Sequence, residues 1–387
     1  MDIPGACAIA GIGETAVGKL PESSTLSLQL EAVAKAIADA GLDPGQVDGL
    51  LAIQPSNDPQ RAYALTVAQA AGILPTYATD LAVGGATPAS MVAHATMAIL
   101  AGLCTMCVCV LGNKQATGRL EPRHGELRDG YEDYEEPFGL LGAPAVHATV
   151  ALRHMHEFGT TSEQFAAVAV AARKHASLNP AATMRQPITI EDVLASRPIV
   201  TPFHLLDCCL VSDGAGAVVV TSAERARDLP RRPVYLHGFG EGHTNGPLQS
   251  DTLTTLGGKQ ASSKAYAMSG LRPADMDFAE IYDCFTAIVL VTLEDYGFCR
   301  KGEGGPWVEH GRIEIGGELP VNTHGGLHSQ GHVEGMLHIT EAVKQLRGGE
   351  VEPERQVPDA RFGIVSGHGA SLSAHATLIL SNESTGA

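Results

Sequence analysis

Val234-Tyr-Leu-His-Gly-Phe-Gly-Glu241 reads as an apolar strand ending in glycines, and it has a double near the amino terminus. There a strand from Ala6 to Gly13 closes on Gly11-Ile-Gly13-Glu14, which Gly238-Phe-Gly240-Glu241 echoes. The echo continues outward. Leu26, Leu30, Val33 and Ile37 recur at helical spacing, and Gly41-Leu-Asp-Pro44 ends that helix. Gly270-Leu-Arg-Pro273 stands at the same place in the second copy, and in both an aspartate follows four residues after the proline, as Asp48 and Asp277. A strand from Gly49 to Ile53 is matched by Ile281 to Phe285. Gly84-Gly85 and the small-residue helix from Pro88 to Ala101 are matched by the loop Asn322 to Gly335 and its helix, Met336 to Leu346. The buried strand led by Asp213-Gly-Ala-Gly is matched by Gly367 to Leu380. Two halves with one order of elements imply a duplicated α/β unit.

The duplication sets the domain organisation. Residues 1–112 and 200–228 form the first half, and residues 229–387 form the second. Between them, residues 113–199 break the pattern as an insertion with helical stretches from Ala145 to Phe158 and from Ser162 to Ala176. Its segment Glu126 to Glu136 is acidic and reads as a surface loop. Loops at equivalent sheet ends meet between such halves, so Gly84-Gly85, Tyr282, Asn322 to Gly335 and Ser366 to Gly369 are expected close together.

Composition narrows the class. The chain has 387 residues, 44% of them hydrophobic and 18% charged, as in an α/β enzyme with a large core. A net charge of −17 argues against a nucleic-acid binder, which needs a basic face. Apolar runs are too short or too interrupted to span a bilayer, and the amino terminus lacks a signal-peptide pattern, so a cytoplasmic protein is expected. Eight cysteines in a chain this long are no disulfide framework. Cys104, Cys107 and Cys109 sit in a strand-like apolar run whose alternation sends them to opposite faces, so no metal site is expected. Cys208 and Cys209 read as core as well.

Chemistry concentrates in Asn322-Thr-His-Gly-Gly-Leu-His-Ser-Gln-Gly-His-Val-Glu-Gly335. Three histidines, His324, His328 and His332, stand among four glycines ahead of a helix. Imidazole moves protons near neutral pH, and glycine lets backbone N–H groups approach a ligand. His147, His154 and His156 lie on a helix of the insertion, and Arg173 and Lys174 on the helix after it.

These stretches together carry a resemblance. Phe158-Gly-Thr-Thr-Ser-Glu-Gln164, Leu206-Asp-Cys-Cys-Leu-Val-Ser-Asp-Gly214, Tyr282-Asp-Cys-Phe-Thr286, Gly297-Phe-Cys-Arg-Lys-Gly-Glu303 and Leu319-Pro-Val-Asn-Thr-His-Gly-Gly326 resemble the thiolase superfamily over nearly the whole chain. The similarity is nearest to the sterol-carrier-protein-like thiolases and, within them, the actinobacterial steroid side-chain aldolases. The resemblance implies an α/β thiolase fold: duplicated βαβαβαββ halves in a five-layered αβαβα arrangement, with an inserted helical loop domain. It also exposes departures. Gly85 stands where thiolases carry the nucleophilic cysteine, and Ser366-Gly-His368-Gly where they carry the second cysteine. Tyr282 replaces a histidine or asparagine of the thiolases, as in the aldolases, whereas His332 keeps the thiolase histidine where the aldolases have tyrosine.

An acyl-enzyme route lacks its nucleophile here, whereas retro-aldol cleavage needs none. The expectation is a thiolase-like aldolase that cleaves a β-hydroxyacyl-CoA, with a steroid side chain as the resemblance-based substrate, into a shorter acyl-CoA and a ketone or aldehyde. A thiolase-like acyltransferase or condensing subunit is the alternative, and a non-catalytic acyl-CoA-binding scaffold the other. Tyr282, His332, His324 and His368 are the candidate catalytic residues; Gly85, Asn322, Gly325, Gly326 and Ser366 are the candidate substrate-binding residues. His332 is assigned to proton transfer and oxyanion binding, and Tyr282 to donating or relaying a proton, with either able to be the base. No permanent cofactor is expected, coenzyme A entering as part of the substrate. The resemblance further implies a homodimer joined by a small OB-fold, zinc-ribbon protein in a heterotetramer.

Overall fold

The computed structural model describes residues 3–55, 60–118, 136–244 and 253–384. In chain order the first half holds β1 (Cys7–Glu14), α1 (Thr25–Asp39), β2 (Gly49–Ala52), α2 (Tyr63–Ala70), β3 (Tyr77–Asp80), α3 (Thr87–Leu100) and β4 (Met106–Lys114). The insertion contributes α4 (Gly142–Phe158), α5 (Ser162–Leu178), α6 (Ile190–Ala195) and the short strands β5 (Pro198–Val200) and β6 (Phe203–His204). The chain returns through β7 (Asp213–Ser222) and α7 (Ala223–Arg227). The second half follows as β8 (Val234–His243), α8 (Gly258–Ser269), β9 (Phe278–Glu280), α9 (Thr286–Asp295), α10 (Gly304–Val308), α11 (Gly326–Ser329), α12 (Met336–Arg347), β10 (Phe362–Gly369) and β11 (Ala374–Ser381).

Nine strands pair in the order β3-β2-β4-β7-β1-β8-β11-β10-β9. Read outward from the β1–β8 seam, the halves are alike. β1–β7 and β8–β11 are antiparallel, β7–β4 and β11–β10 antiparallel, and β4–β2 and β10–β9 parallel. The second half reduces its fifth strand to one parallel bridge, Ala279 to Val321, where the first has β3. The seam pairs Ala8 with Tyr235 and Ile9 with Val234, and beside them the Gly5 N–H donates to the Leu236 carbonyl at 2.8 Å.

The repeated residues now have physical reasons. A Cβ on Gly11 or Gly13 would collide with the Ala36 or Ala32 carbonyl of α1, and one on Gly238 or Gly240 with the Ala265 or Ala261 carbonyl of α8. Each glycine pair thus lets the outer helix lie directly on its strand. Asp48 accepts the Thr105 and Met106 N–H groups at 2.8 Å and so opens β4. Asp277 does the same for β10, accepting from Arg361 at 2.7 Å and Phe362 at 2.9 Å. α3 and α12 pack between the sheets of both halves, around buried Met91, Val92, Met336, Leu337 and Val343. With α1 and α8 outside, the layers run αβαβα.

The insertion lies on the second half. Val146, Val150, Phe165 and Val168 of α4 and α5 share a core with Ile281, Phe285 and Ile288. Its acidic segment up to residue 135 lies outside the described residues. Among the described residues no helix is long and apolar enough to cross a membrane.

Four expectations are corrected. The strand placed at Ile281 to Phe285 ends at Glu280, because the Ile281 N–H and carbonyl bond the Asn322 side chain at 2.6 and 2.8 Å instead of a neighbouring strand. Tyr282 therefore sits on a loop past the sheet end. Gly367 to Leu380 is two antiparallel strands, β10 and β11, joined by a turn at Ala370–Leu372. The loop Asn322 to Gly335 contains the one-turn helix α11. Cys104, Cys107 and Cys109 all face one core, since Cys104 precedes β4 and the other two stand two residues apart on the same face.

Candidate active site

The sheet ends of both halves and the start of α4 enclose a cavity of about 510 Å³, within the range of small-molecule sites. Gly84 and Gly85 line it from the first half, Tyr282, His332, Glu334 and His368 from the second, and His147 from the insertion. Its walls are mainly apolar. Exposed Ile199, Leu205 and Val211 line it from the segment that leads out of the insertion.

Backbone packing holds the first-half loop against the end of β10. Gly84 is left-handed (φ 61°), and a Cβ there would stand 2.7 Å from the Ala370 nitrogen. At Gly85 the obstacle is different. A Cβ built there would overlap Cζ, Cε2 and Oη of Tyr282. The phenol thus occupies the space that a cysteine at this position would need. Gly85→Ala is accordingly expected to push the ring aside and lower turnover roughly 10-fold, at a cost of about 1–3 kcal/mol in stability. Steady-state kinetics and a thermal melt check this; unchanged turnover would show that the ring position is immaterial.

Tyr282 is fixed on three sides. Its N–H donates to Ser366 Oγ at 3.0 Å, its ring stacks on His338 with centroids 6.2 Å apart, and its Oη lies 3.1 Å from His332 Nε2. Burial, with the Cys284 and Glu334 side chains adding to it, pushes the phenol well above its usual range, so it stays protonated. His332 is anchored by its own N–H, which donates to Ser212 Oγ at 3.1 Å. Enclosure in the cavity wall pulls its imidazole down to about 4, with His338 adding to the effect and Asp283 opposing it. His332 is therefore neutral at pH 7, with Nδ1 unpartnered.

Behind this pair, Asp283 organises the glycine-rich loop. Its carboxylate accepts from the Leu327 N–H and from His328 Nδ1, both at 2.8 Å, and lies 3.2 Å from His338 Nε2. Burial opposes the charge, but hydrogen bonds from His328 and His338 hold the carboxyl far below its ordinary range. Burial likewise opposes a charged His328, and Asp283 overcomes it, raising that imidazole.

His368 faces the cavity from β10, and its Nε2 stands 3.3 Å from His147 Nε2. His147 Nδ1 donates to the Ala143 carbonyl at 2.7 Å, which leaves its Nε2 as acceptor for His368. Cys284 Sγ stands 3.6 Å from the same nitrogen. Burial, with His147 and His375 adding, keeps His368 well below its usual pKa. His147, Cys284 and His368 could hold a metal ion by proximity, as could buried Glu280, His324 and His338. In the first group the hydrogen bonds through His147 Nε2 already account for the approach.

Several expectations change. His324 does not reach the cavity: its ring lies in the second half's core, Nδ1 2.8 Å from Glu280 Oε2 and perpendicular to the His338 ring, with centroids 4.7 Å apart. Burial opposes protonation there, but the Glu280 charge outweighs it and raises the pKa. Asn322, Gly325, Gly326 and Ser366, expected to bind substrate, stand behind the wall. Asn322 holds Ile281 and Ser366 holds Tyr282, while Gly325 packs on Ala176 and Gly326 on the Asp283 carboxylate. Cys208 and Cys209 pack against the second half's core, as expected, and also line the cavity. Arg173 is buried against Ser329 Oγ and the Gln186 carbonyl, and Lys174 pairs with Glu314, so neither is free for phosphates. His154 is buried on Glu294 and His156 is exposed, which leaves His147 as the helix's cavity histidine.

Glu334 is the lining residue that sequence reasoning passed over. Its signal was a carboxylate within a glycine-bounded motif two residues after His332.

Comparisons with known proteins agree with this architecture. Residues 240–382 match the thiolase C-terminal domain-like family. The chain is 41% identical over 367 residues to the steroid side-chain-cleaving aldolase of Thermomonospora curvata, covering 90% of this chain and 92% of that one. It is also 41% identical over 368 residues to the 17-hydroxy-3-oxo-4-pregnene-20-carboxyl-CoA lyase of Mycobacterium tuberculosis, covering 91% and 94%. The solved structure of an Ltp2–ChsH2(DUF35) aldolase superposes with a TM-score of 0.89 at 38% identity, over 98% of this chain and 99% of that chain.

Proposed function

The chain belongs to the thiolase superfamily, in its sterol-carrier-protein-like branch, and from that premise we propose that it is a carbon–carbon lyase. It cleaves a β-hydroxyacyl-CoA by retro-aldol chemistry, and a steroid side-chain thioester is the substrate class. The observation that carries this reading is the phenol of Tyr282 filling the space beside Gly85, in contact with His332 over an apolar cavity. No thiol can stand there, so acyl transfer through the usual cysteine has no place to begin.

The reaction balances without a co-reactant. The β-hydroxyl loses its proton and becomes a carbonyl as the Cα–Cβ bond breaks. The bond's electron pair passes into a thioester enolate, which then takes one proton at the α-carbon. Neutral His332 in the cavity wall suits hydrogen bonding to the enolate oxygen, and protonated Tyr282 suits proton delivery. The apolar lining suits a polycyclic skeleton that needs few polar contacts.

Assembly is part of the proposal. β3 is an open sheet edge, flanked by exposed Leu65, Leu74 and Leu103, and supports pairing with a second copy. The similarity to an aldolase solved as an Ltp2–ChsH2(DUF35) assembly supports a small OB-fold, zinc-ribbon partner.

The test is product analysis by mass spectrometry. Incubation with a β-hydroxyacyl-CoA whose hydroxyl carbon belongs to a steroid ring is expected to yield ketone and shorter acyl-CoA in equal amounts. Thiolysis of a 3-oxoacyl-CoA without any ketone release would favour acyl transfer instead.

A further inference from the structure

Glu334, whose carboxyl lies beside the polar side chain of Asn113, holds a position that is costly to maintain. It lines the cavity with Tyr282 and His332, yet it forms no ion pair among the described residues. Its backbone is left-handed (φ 42°), a conformation that a glutamate seldom adopts and that the fold retains on the loop entering α12. The next residue, Gly335, closes the gap behind it: a Cβ there would be 3.1 Å from Tyr282 Cδ2 and 3.2 Å from the Gly85 carbonyl. The turn thus presents the glutamate side chain beside the phenol. The neighbour of its carboxyl is Asn113, a buried amide with no other hydrogen-bond partner.

Retro-aldol cleavage needs a group to take the hydroxyl proton, and the groups described so far are poorly suited. Tyr282 is held protonated, and His332 and His368 are rings that burial makes weak bases. Burial acts on a carboxyl in the opposite sense and raises Glu334, bringing it nearer the range where a base works at neutral pH. We propose that Glu334 is the catalytic base, a role that rests on the lyase reading above. Its carboxylate takes the β-hydroxyl proton as the Cα–Cβ electrons move into the enolate. Tyr282 delivers its phenolic proton to the α-carbon, and the proton held by Glu334 then passes to the phenolate oxygen of Tyr282, directly or through a water. The cycle leaves both residues as they began.

The experiment compares wild-type enzyme with E334Q and E334A in ketone-release assays on the full chain, with folding followed by circular dichroism. E334Q is expected to lose roughly 10²–10⁴-fold in kcat with KM little changed. E334A is expected to be equally slow and to regain at least about 10-fold on addition of sodium formate, a small carboxylate able to enter the vacated space. Near wild-type turnover by folded E334Q overturns the assignment, as does a loss confined to KM. If E334Q fails to fold, the formate response of E334A decides, and no response overturns it. Absence of ketone from the wild-type enzyme would instead overturn the lyase reading itself, and this assignment with it.

Discussion

Tyr282→Phe should lower kcat for ketone release by roughly 10²–10⁴-fold while leaving KM close to wild type. That corresponds to about 3–5 kcal/mol of transition-state stabilisation. The substitution deletes one oxygen and keeps the ring, so the space beside Gly85 stays filled and the stack on His338 survives. Only the contact between Oη and His332 Nε2 at 3.1 Å is lost, with whatever the hydroxyl gives to substrate. His332→Ala should fall in the same range, because it removes the partner of that hydroxyl from the cavity wall. The double variant should be little slower than either single one if the two act as a unit. Retention of near wild-type kcat by both folded single variants would show that this pair is not the reaction centre.

The second large effect concerns acid. Burial lowers the imidazoles of His147, His175 and His332 to about 4 and that of His375 to about 3, and holds His368 well below its usual value. In the unfolded chain each titrates near ~6.5. Between those limits the unfolded state carries a proton on each ring that the folded state lacks. Stability therefore falls as pH drops, by about 1.4 kcal/mol per pH unit for each fully titrating ring. Asp207, Asp295 and Glu334, which burial raises, act in the opposite sense over the lower part of the window. Five rings against three carboxyls leave a net loss of about 3 kcal/mol per pH unit or more. His324 and His328, raised by Glu280 and Asp283, are protonated in both states below ~6.5 and do not offset it. Asp283, whose carboxyl is depressed, withdraws its own contribution only below about pH 4. Against a typical stability of ~5–15 kcal/mol, the urea midpoint should drop steeply from pH 6.5 and approach zero near pH 5. A midpoint that stays level between pH 7.5 and 5 would contradict the burial of these rings.

The buried histidines also show why site residues were harder to read than the fold. Asp48 and Asp277, Gly41 and Gly270, and the two Gly-x-Gly strands are short-range devices. Each does its work on the element beside it, and duplication printed each one twice. Three histidines in one glycine-rich loop carry no such periodicity. His332 meets the cavity, His328 clamps Asp283, and His324 turns into the core. Nothing in their spacing distinguishes them, because side-chain direction in an irregular loop follows from distant partners.

By itself the sequence determined that the chain is a doubled α/β unit, that an insertion interrupts it, and that Gly85, Tyr282 and His332 belong near one sheet-end site. Local patterns suffice for this, since hydrophobic period, helix stops and repeated order are written in neighbouring residues. Only the tertiary structure decided that β9 stops at Glu280, that Tyr282 fills the room beside Gly85, and that Asn322 and Ser366 serve as supports behind the wall. It alone brought Glu334 to the cavity and His147 to His368. The physical reason is common to all of these. They depend on which backbone groups remain unpaired, and which volumes remain unfilled, once segments far apart in the chain have packed together.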